Sequence, residues 1–418
     1  MSGAMAGPRT AVAVAEGALG REILVLCHRI PYPPNKGDKV RSYHLVRHLA
    51  ERGWRVHLGA LADTPDDMAY RDSLRPLCAS LAVEPLPAWR KFCSPLGAIR
   101  GTSLSVECFR NRRLQAYVDK VLASGTVSAA LAVSAPMAEY LRCAASPLPG
   151  RRILDLVDVD SEKWRAYAGR AAWPASRIYG LEAKLLGRYE QRAADLFEAV
   201  LLVSEAEASL FRSLGGRGGQ VRTVSNGVDL DYFSPAPDRQ GPSASPSTVF
   251  CGAMDYPPNI DAVAWFAEAV LPRLGERLPG PASFSIVGSN PAPRVRALAG
   301  LAGVRVTGPV PDVRPFVAEA AVSVAPMRIA RGVQNKVLEA MAMGKAVVAT
   351  EQAFEGIEAV AGEDLCVVPD EPEAFAAAVA GLLADPAGAA AMGRRARRCM
   401  ERRYAWAARL QTLEELLG

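Results

Sequence analysis

One stretch, residues 326–350, constrains the fold more than any other part of this 418-residue chain. It lies between an apolar run at residues 321–325 and a second at 346–349, and each run is typical of a buried strand. Between the runs, residues 334–343 have apolar side chains at helical spacing, and Gly344 ends that pattern. The segment therefore predicts a strand, a polar loop, a helix and a strand, which is one unit of a parallel α/β sheet.

The loop before this helix is cationic. Arg328 and Arg331 lie in it, and Lys336 follows at the start of the helix. Backbone N–H groups and the positive end of a helix attract anions, so the segment predicts a diphosphate site with Asn335 as a further donor-binding candidate. Glu339 is the only acid there, and we expect it to accept hydrogen bonds from sugar hydroxyls. The alternative is an ordinary βαβ unit with a solvated basic loop and an exposed glutamate.

The same segment resembles the signature of family 4 retaining glycosyltransferases, which have two Rossmann-like lobes. The usual motif is Glu, seven residues, Glu; Glu339 matches the second Glu, whereas Arg331 stands at the position of the first. Residues 332–345 most resemble the sugar transferases associated with PEP-CTERM/exosortase exopolysaccharide systems. The resemblance implies a nucleotide-sugar donor, a glycan or lipid-linked acceptor, retention at the anomeric carbon, and catalysis by Lys336 through charge stabilisation of the leaving diphosphate.

The charge of the chain is uneven. Residues 1–235 carry 31 Lys and Arg against 24 Asp and Glu, whereas residues 236–418 carry 18 against 20. A basic first half suits phosphate ligands or an anionic membrane surface, and solvated arginines on helix faces are the equal alternative. The positive charge is diffuse and no recognised nucleic-acid motif occurs, so we expect no nucleic-acid partner.

Cysteine and histidine usage gives no sign of a metal or redox site. The eight cysteines include no Cys-x-x-Cys pair and predict reduced thiols of a cytosolic protein. The four histidines form no recognisable ligand set, so we expect no metal, and no cofactor beside the nucleotide-sugar substrate. There is no run of 18 apolar residues, so no membrane span is predicted. We expect a cytoplasmic protein, with peripheral association at the inner face of the membrane as a further expectation.

The first predicted strand, residues 22–27, leads into a loop rich in Pro and Gly and then a helix over residues 39–52. Such a loop lies at the carboxyl end of its strand, where open parallel sheets bind ligands. The loop is similar to the glycine loop of the glycosyltransferase family, and Gly37 is the candidate for close backbone approach to the donor phosphate. A Pro-rich surface turn is the alternative.

Two acids, Asp158 and Asp160, follow the predicted strand at residues 152–157. The resemblance aligns this segment with a His-Asp-like pair that faces the sugar in many family members, although no His is present here. We expect the two acids to orient the acceptor hydroxyl or to take its proton. The alternative for Asp160 is a helix cap. Residues 165–199 predict one long helical region, with Glu182 and Glu190 on a charged, solvated face.

Basic residues beside aromatic ones occur at residues 89–92 and 109–113. Such patches suit a membrane surface or a lipid-diphosphate acceptor, and simple exposure is the alternative.

The second half repeats the alternation of strand and helix. Gly252 follows the strand at 249–251, and by resemblance it contacts the donor, as does the backbone near Val310. Many family members carry Arg and Lys within residues 252–259, whereas this chain has neither there. That absence assigns the diphosphate to Arg328, Arg331 and Lys336.

The predicted fold class is α/β, with two Rossmann-like, doubly wound parallel-sheet domains facing a cleft, as in the GT-B type. Residues 1–20 are expected to form a disordered extension and residues 21–235 the acceptor domain. Residues 236–247 form the linker and 248–399 the donor domain, and a C-terminal helix from about 400 to 418 returns to the first domain. A catalytically inactive nucleotide-binding protein and a sugar-nucleotide epimerase on the same fold are the alternative functions.

Overall fold

The computed structural model describes residues 21–34, 37–86, 101–216, 219–235, 246–330 and 332–418. The chain divides into two compact units. The first contains residues 21–225 and Leu410–Gly418, and the second is Asn226–Arg409. The division therefore lies between Ser225 and Asn226, before the linker expected from the sequence, and residues 236–245 of that linker are outside the described residues, as are residues 1–20.

The first unit is built on a sheet of seven parallel strands in the order β3-β2-β1-β4-β5-β6-β7. Its strands are β1 (Glu22–Cys27), β2 (Arg55–Ala62), β3 (Ser80–Pro85), β4 (Val127–Val133), β5 (Arg151–Val157), β6 (Ala199–Leu202) and β7 (Gln220–Thr223). Strand order reverses between β1 and β4, and loops at the carboxyl ends of strands beside such a switch point form ligand crevices.

Helices join these strands. In chain order they are α1 (Gly37–Glu51), α2 (Pro65–Ala69), α3 (Arg71–Leu74), α4 (Leu104–Cys108), α5 (Arg112–Ala123), α6 (Ala138–Arg142), α7 (Asp160–Arg170), α8 (Ala175–Ala194) and α9 (Glu205–Ser213). Single 3₁₀ turns occur at Arg75–Leu77 and Ala135–Met137.

Apolar runs determine the sheet. All residues from Ile23 to Cys27 have no exposed surface, as expected of a central parallel strand covered on both faces. The helical region expected over residues 165–199 consists of two separate helices, α7 and α8. Pro174 lies between them, and a proline both removes a backbone donor and disfavours helical geometry in the residue before it.

The charged, solvated face expected for this region is wrong at two positions. Glu182 and Glu190 are buried. Glu182 accepts hydrogen bonds from the Ser103 hydroxyl (2.6 Å) and from the backbone N–H groups of Leu104 and Ser105 at the start of α4. Glu190 accepts from the backbone N–H and the hydroxyl of Ser161 in α7. Both carboxylates therefore hold helices to the unit rather than facing water.

The second unit has a six-stranded parallel sheet in the order β10-β9-β8-β11-β12-β13. Its strands are β8 (Ser247–Cys251), β9 (Ser283–Val287), β10 (Val304–Val306), β11 (Val322–Ala325), β12 (Ala346–Thr350) and β13 (Cys366–Val368). The switch point lies between β8 and β11. The two parallel-sheet α/β domains predicted from the sequence are confirmed.

The helices of the second unit continue the numbering. They are α10 (Pro257–Trp265), α11 (Leu271–Arg277), α12 (Pro293–Ala297), α13 (Arg314–Glu319), α14 (Asn335–Ala342), α15 (Glu351–Phe354), α16 (Pro372–Ala384), α17 (Pro386–Arg403) and α18 (Trp406–Arg409), with a π turn at Phe266–Val270 and a 3₁₀ turn at Leu298–Gly300. The last helix, α19 (Gln411–Leu417), belongs to the first unit, where Glu414 pairs with His48 of α1 (2.6 Å) and with Arg52, which directly follows that helix (2.9 Å).

Among the described residues, no single helix is long and apolar enough to cross a membrane. By length and composition, α16 and α17 pass that test only as a pair, with a bend of 102° between them.

One cysteine differs from expectation. Cys108, at the end of α4, is disulfide-bonded, so the prediction that all eight cysteines are reduced thiols is wrong at this position.

Of the two basic-aromatic patches, residues 89–92 lie outside the described residues. In the other, Arg110 pairs with Glu107 at 3.1 Å.

Candidate functional site

The switch point of the second unit brings together the residues expected to bind the donor. β8 and β11 are neighbours in its sheet, and their carboxyl ends lead into Gly252 and into the loop that follows Ala325. That loop ends at Gln334, which precedes the first residue of α14. The N-terminus of α14 therefore lies at the sheet edge where ligands bind in doubly wound folds.

Lys336 is the principal cation of this edge. Its ammonium donates to the side-chain oxygens of Asn259 (3.1 Å) and Gln334 (3.2 Å), and it lies 3.8 Å from the Met327 sulfur. It also lies 5.2 Å from the centre of the Phe250 ring, within the range of a cation–π contact. Neutral oxygens and a ring hold the ammonium in position without neutralising it, so its charge is available to an anion.

Burial perturbs Lys336 and Glu339 in opposite directions. It lowers the pKa of Lys336 to about 8, against the attraction of Glu339, and it raises the pKa of Glu339 to about 7, against the attraction of Lys336. Both side chains line a cavity of about 10 Å³ with Cys251 and Ser323. The charged form of each side chain is therefore less stable here than in water. An anionic ligand in contact with Lys336 would raise the pKa of this lysine again and so favour its protonated form.

Gly252 is required by close packing. A Cβ atom at this position would lie 2.8 Å from Nδ2 of Asn259, the residue that accepts from Lys336. Asn259 itself is buried and donates to the Ala253 carbonyl (2.9 Å). The absence of a side chain at position 252 thus lets Asn259 hold the lysine ammonium.

The other donor candidates are less directly involved. Arg328 pairs with Asp261 through its Nε (3.0 Å), so part of its charge is already neutralised. Asn335 accepts from the Asn226 amide (3.3 Å). Val310 is half-buried against the core of the unit, and Arg331 lies outside the described residues.

In the first unit, the expected acids are close together at the end of β5. The Lys163 ammonium lies 2.8 Å from Asp158 and 2.9 Å from Asp160. Burial alone would lower the pKa of Lys163, but the two carboxylates outweigh it and raise that pKa. Lys163 therefore stays charged and holds both acids at the start of α7. The role of Lys163 was not predicted from the sequence, although its spacing of three residues from Asp160 on a helix was a signal.

The backbone beside these acids is unusual. Val157, the last residue of β5, has φ 68°, and Ser134, directly after the neighbouring β4, has φ 78°. Residues other than glycine rarely adopt such angles, and the cost is about 1–3 kcal/mol each. Two such residues at adjacent strand ends are typical of a functional loop edge.

Gly37 lies exposed as the first residue of α1. Beside it, Asp38 pairs with Arg29 (2.6 Å) and with Nε2 of His28 (3.3 Å). Burial would raise the pKa of Asp38, but these two partners outweigh it and keep that pKa well below its usual range. The loop after β1 is thus fixed by its own ion pairs.

A fully buried ion pair supports the first unit and was not predicted. Arg41 of α1 contacts both oxygens of Asp155 on β5, at 2.6 and 3.0 Å, and neither side chain is exposed. Arg41 also donates to the Val224 carbonyl (2.7 Å). The pair therefore ties α1 and the segment after β7 to β5, the strand that directly precedes Asp158.

In the described part of the chain, no group of three His, Cys, Asp or Glu side chains is arranged to hold a metal ion.

The second unit is similar to a known family of glycosyl transferases. Residues 245–385, most of the second unit, match the family model described as "Glycosyl transferases group 1". Comparison with curated protein sequences gave no match.

Solved structures share the fold over nearly the whole chain. Sucrose-phosphate synthase from Thermosynechococcus elongatus is 18% identical with a TM-score of 0.68, and the match covers 95% of this chain and 98% of that one. Anabaena HepE in complex with UDP and glucose is 16% identical, with a TM-score of 0.64 and coverage of 95% and 99%. A mutant of S. aureus TarM in complex with Fondaparinux, alpha-GlcNAc-glycerol and UDP is 10% identical, with a TM-score of 0.66 and coverage of 95% and 100%. The fold is therefore that of the GT-B glycosyltransferase structures.

Proposed function

We propose that this protein is a retaining glycosyltransferase that moves a sugar from a nucleoside-diphosphate sugar to a glycan or lipid-linked acceptor in exopolysaccharide synthesis. The observation that carries the proposal is the half-buried Lys336 at the N-terminus of α14, with Glu339 one turn further along. The match of residues 245–385 to group 1 glycosyl transferases supports it. So does the presence of UDP in the structures of Anabaena HepE and S. aureus TarM.

In the proposed reaction, positive charge at the donor site stabilises the leaving diphosphate. When the glycosidic bond to the diphosphate breaks, negative charge grows on the leaving oxygen, and preorganised cations and N–H dipoles stabilise it. Lys336 and the backbone N–H groups at the start of α14 supply both, and no metal or cofactor is needed for this step. Glu339, whose pKa of about 7 allows either protonation state near neutrality, is the proposed hydrogen-bond partner of the sugar hydroxyls.

The acceptor half is assigned to the acidic end of β5. Asp158 and Asp160 are proposed to orient the acceptor hydroxyl and to take its proton, with Lys163 holding both carboxylates in position. A positioned base of this kind contributes about 10²–10⁴-fold to rate.

The experiment is a donor panel followed by turnover. UDP-, GDP- and ADP-sugars are compared by thermal shift, because the ligand that binds the folded state stabilises it by mass action. The best donor is then incubated with protein, with and without a chelator, and release of nucleoside diphosphate is measured. We expect release that survives the chelator and that falls strongly in Lys336→Met. Arg294→Met, which removes an exposed cation on α12, is the matched control.

The products separate the alternatives. Transfer gives free nucleoside diphosphate and a glycosylated acceptor. A binder without catalysis gives a thermal shift and no release, and an epimerase gives an isomeric nucleotide sugar without any acceptor. Either of the last two results would overturn the proposal.

A further inference from the structure

An aromatic and cationic surface covers the hairpin formed by α7 and α8 in the first unit. Nine large apolar side chains are exposed in the described part of the chain, and four of them, Tyr167, Trp173, Ile178 and Leu181, lie in this hairpin. Trp173, in the connection between the two helices, is 80% exposed. Contiguous exposed apolar side chains on a folded protein typically mark an interaction site. We call these four residues, with the exposed Arg177, Lys184, Arg188 and Arg192, the hairpin surface.

Aromatic contacts hold the two helices of the hairpin together. The Trp164 ring of α7 lies 5.3 Å from the Tyr179 ring of α8, and Tyr167 lies 6.4 Å from the same ring, measured between centroids. The opposite face of α8 packs against the interior, where Glu182 and Glu190 are buried and accept hydrogen bonds. The hairpin surface therefore faces solvent because the other face of α8 is already used.

The exposed face carries positive charge at helical spacing. Arg177, Leu181, Lys184, Arg188 and Arg192 are separated by three or four residues, which aligns them along one side of α8. Residues 160–194 contain seven Lys and Arg against four Asp and Glu.

The four acids do not cancel this charge on the outer face. Two of them, Glu182 and Glu190, are buried. The other two are paired within α7: Asp160 lies 2.9 Å from Lys163, and Glu162 lies 2.6 Å from Arg165.

We infer that the hairpin surface docks on an anionic lipid bilayer. Trp and Tyr side chains favour the level of the lipid headgroups, and cationic helix faces are attracted to anionic lipids. Trp173, Ile178 and Leu181 would enter the interface, while Arg177, Lys184 and Arg188 contact phosphates. Charge complementarity favours this partner over a second copy of the chain, which would bring the same cations together.

The position of the hairpin gives the docking a consequence. α7 begins at Asp160, two residues after Asp158, so the acidic end of β5 is attached directly to the docked element. A lipid-linked acceptor at the bilayer would then be presented to the proposed acceptor site. This consequence rests on the proposed function, whereas the binding to lipid does not.

The test is co-sedimentation of the full chain with phosphatidylcholine vesicles, with and without phosphatidylglycerol. We expect binding only to the anionic vesicles, and weaker binding as salt rises. The triple variant Arg177→Gln/Lys184→Gln/Arg188→Gln should lose roughly fivefold per charge, or about a hundredfold in partition. Trp173→Ser/Ile178→Ser should lose about tenfold, because less apolar surface leaves water.

Two matched controls are on the second unit. Arg273→Gln/Arg294→Gln/Arg305→Gln removes three exposed cations, and Leu301→Ser/Val360→Ser removes two exposed apolar side chains. Both should bind anionic vesicles as the unaltered protein does. Circular dichroism of every variant establishes that it is folded.

Three results would overturn the inference: equal binding to neutral and anionic vesicles, no binding to either, or equal losses in hairpin and control variants. A dimer in sedimentation velocity that Trp173→Ser/Ile178→Ser dissolves, without vesicle binding, would reassign the surface to a second copy. Release of nucleoside diphosphate in the absence of lipid should be unchanged in the hairpin variants, so failure of docking and failure of the proposed function are distinguishable.

Discussion

Replacing Glu339 by glutamine should stabilise the free protein while weakening its hold on the donor. Burial raises the pKa of Glu339 from its ordinary 4.5 to about 7. Between those values the folded protein keeps a proton that the unfolded chain has released. The stabilising contribution is therefore fully present below about pH 4.5 and is lost as pH rises through about 7. Glutamine has nearly the same shape and never ionises, so it removes this dependence.

The size follows from the shift. A change from 4.5 to about 7 corresponds to about 3 kcal/mol of unfavourable ionisation at pH 8. Part of that gain is offset, because Lys336 loses the attraction of the carboxylate while its own pKa is already lowered by burial. A net stabilisation of about 1–2 kcal/mol remains, or roughly 3–6 °C in the melting temperature of a unit of this size.

The assay is a series of melting temperatures for wild type and Glu339→Gln across pH 4.5–8. The gap should be largest at pH 8 and shrink toward zero near pH 4.5, where both side chains are neutral. Glu319→Gln, which changes an exposed side chain at the end of α13, should show no such gap. A variant less stable than wild type at pH 8, or a gap independent of pH, would refute the assignment of a buried, destabilised carboxylate.

Three further substitutions test other contacts. Asp155→Asn leaves the Arg41 charge buried without its partner, so we expect a loss of about 3–5 kcal/mol in urea unfolding, and a loss below 1 kcal/mol would contradict the buried pair. Gly252→Ala places a Cβ 2.8 Å from the Asn259 amide, so we expect several-fold weaker nucleotide binding by calorimetry at nearly unchanged fold content; unchanged affinity would remove Asn259 from the site. Asp158→Asn should lower turnover by about 10²-fold or more with unchanged donor affinity, and unchanged turnover would exclude it as the base.

The sheet could be predicted from the sequence because each strand is an apolar run between polar loops. β1 begins and ends at the residues expected, and the bounds of β5, β8, β11 and β12 differ from the expected ones by one or two positions. β3 was not predicted. The alternation of strand and helix predicted parallel, doubly wound sheets, but it did not determine the order of the strands within them. Local sequence patterns thus predicted the fold class and most of the strands.

The partners of the polar side chains could not be predicted in this way. Glu182 accepts a hydrogen bond from Ser103, and Lys336 donates one to Asn259. The two partners are 79 residues apart in the chain in the first pair and 77 in the second. A charge pattern alone cannot distinguish an acid that faces water from one that caps a distant helix. The same limit applies to Arg41 and Asp155, whose separation is 114 residues.

The candidate site was predicted in part. The loop and helix around Lys336 could be found because Arg, Lys and helical periodicity adjoin one strand. Its neutral supports, Asn259 and Gln334, carry no charge and gave no signal. Donor and acceptor roles for all these residues remain predictions.

Calorimetric binding of UDP at pH 8, in two buffers with different ionisation enthalpies, tests whether Lys336 binds the diphosphate. Lys336, with a pKa of about 8, is half protonated in the free protein, and a bound diphosphate should complete its protonation. We predict uptake of about half a proton on binding, little uptake at pH 6, and in Lys336→Met no uptake with roughly tenfold to hundredfold weaker binding. Equal proton uptake and equal affinity in wild type and Lys336→Met would contradict the account.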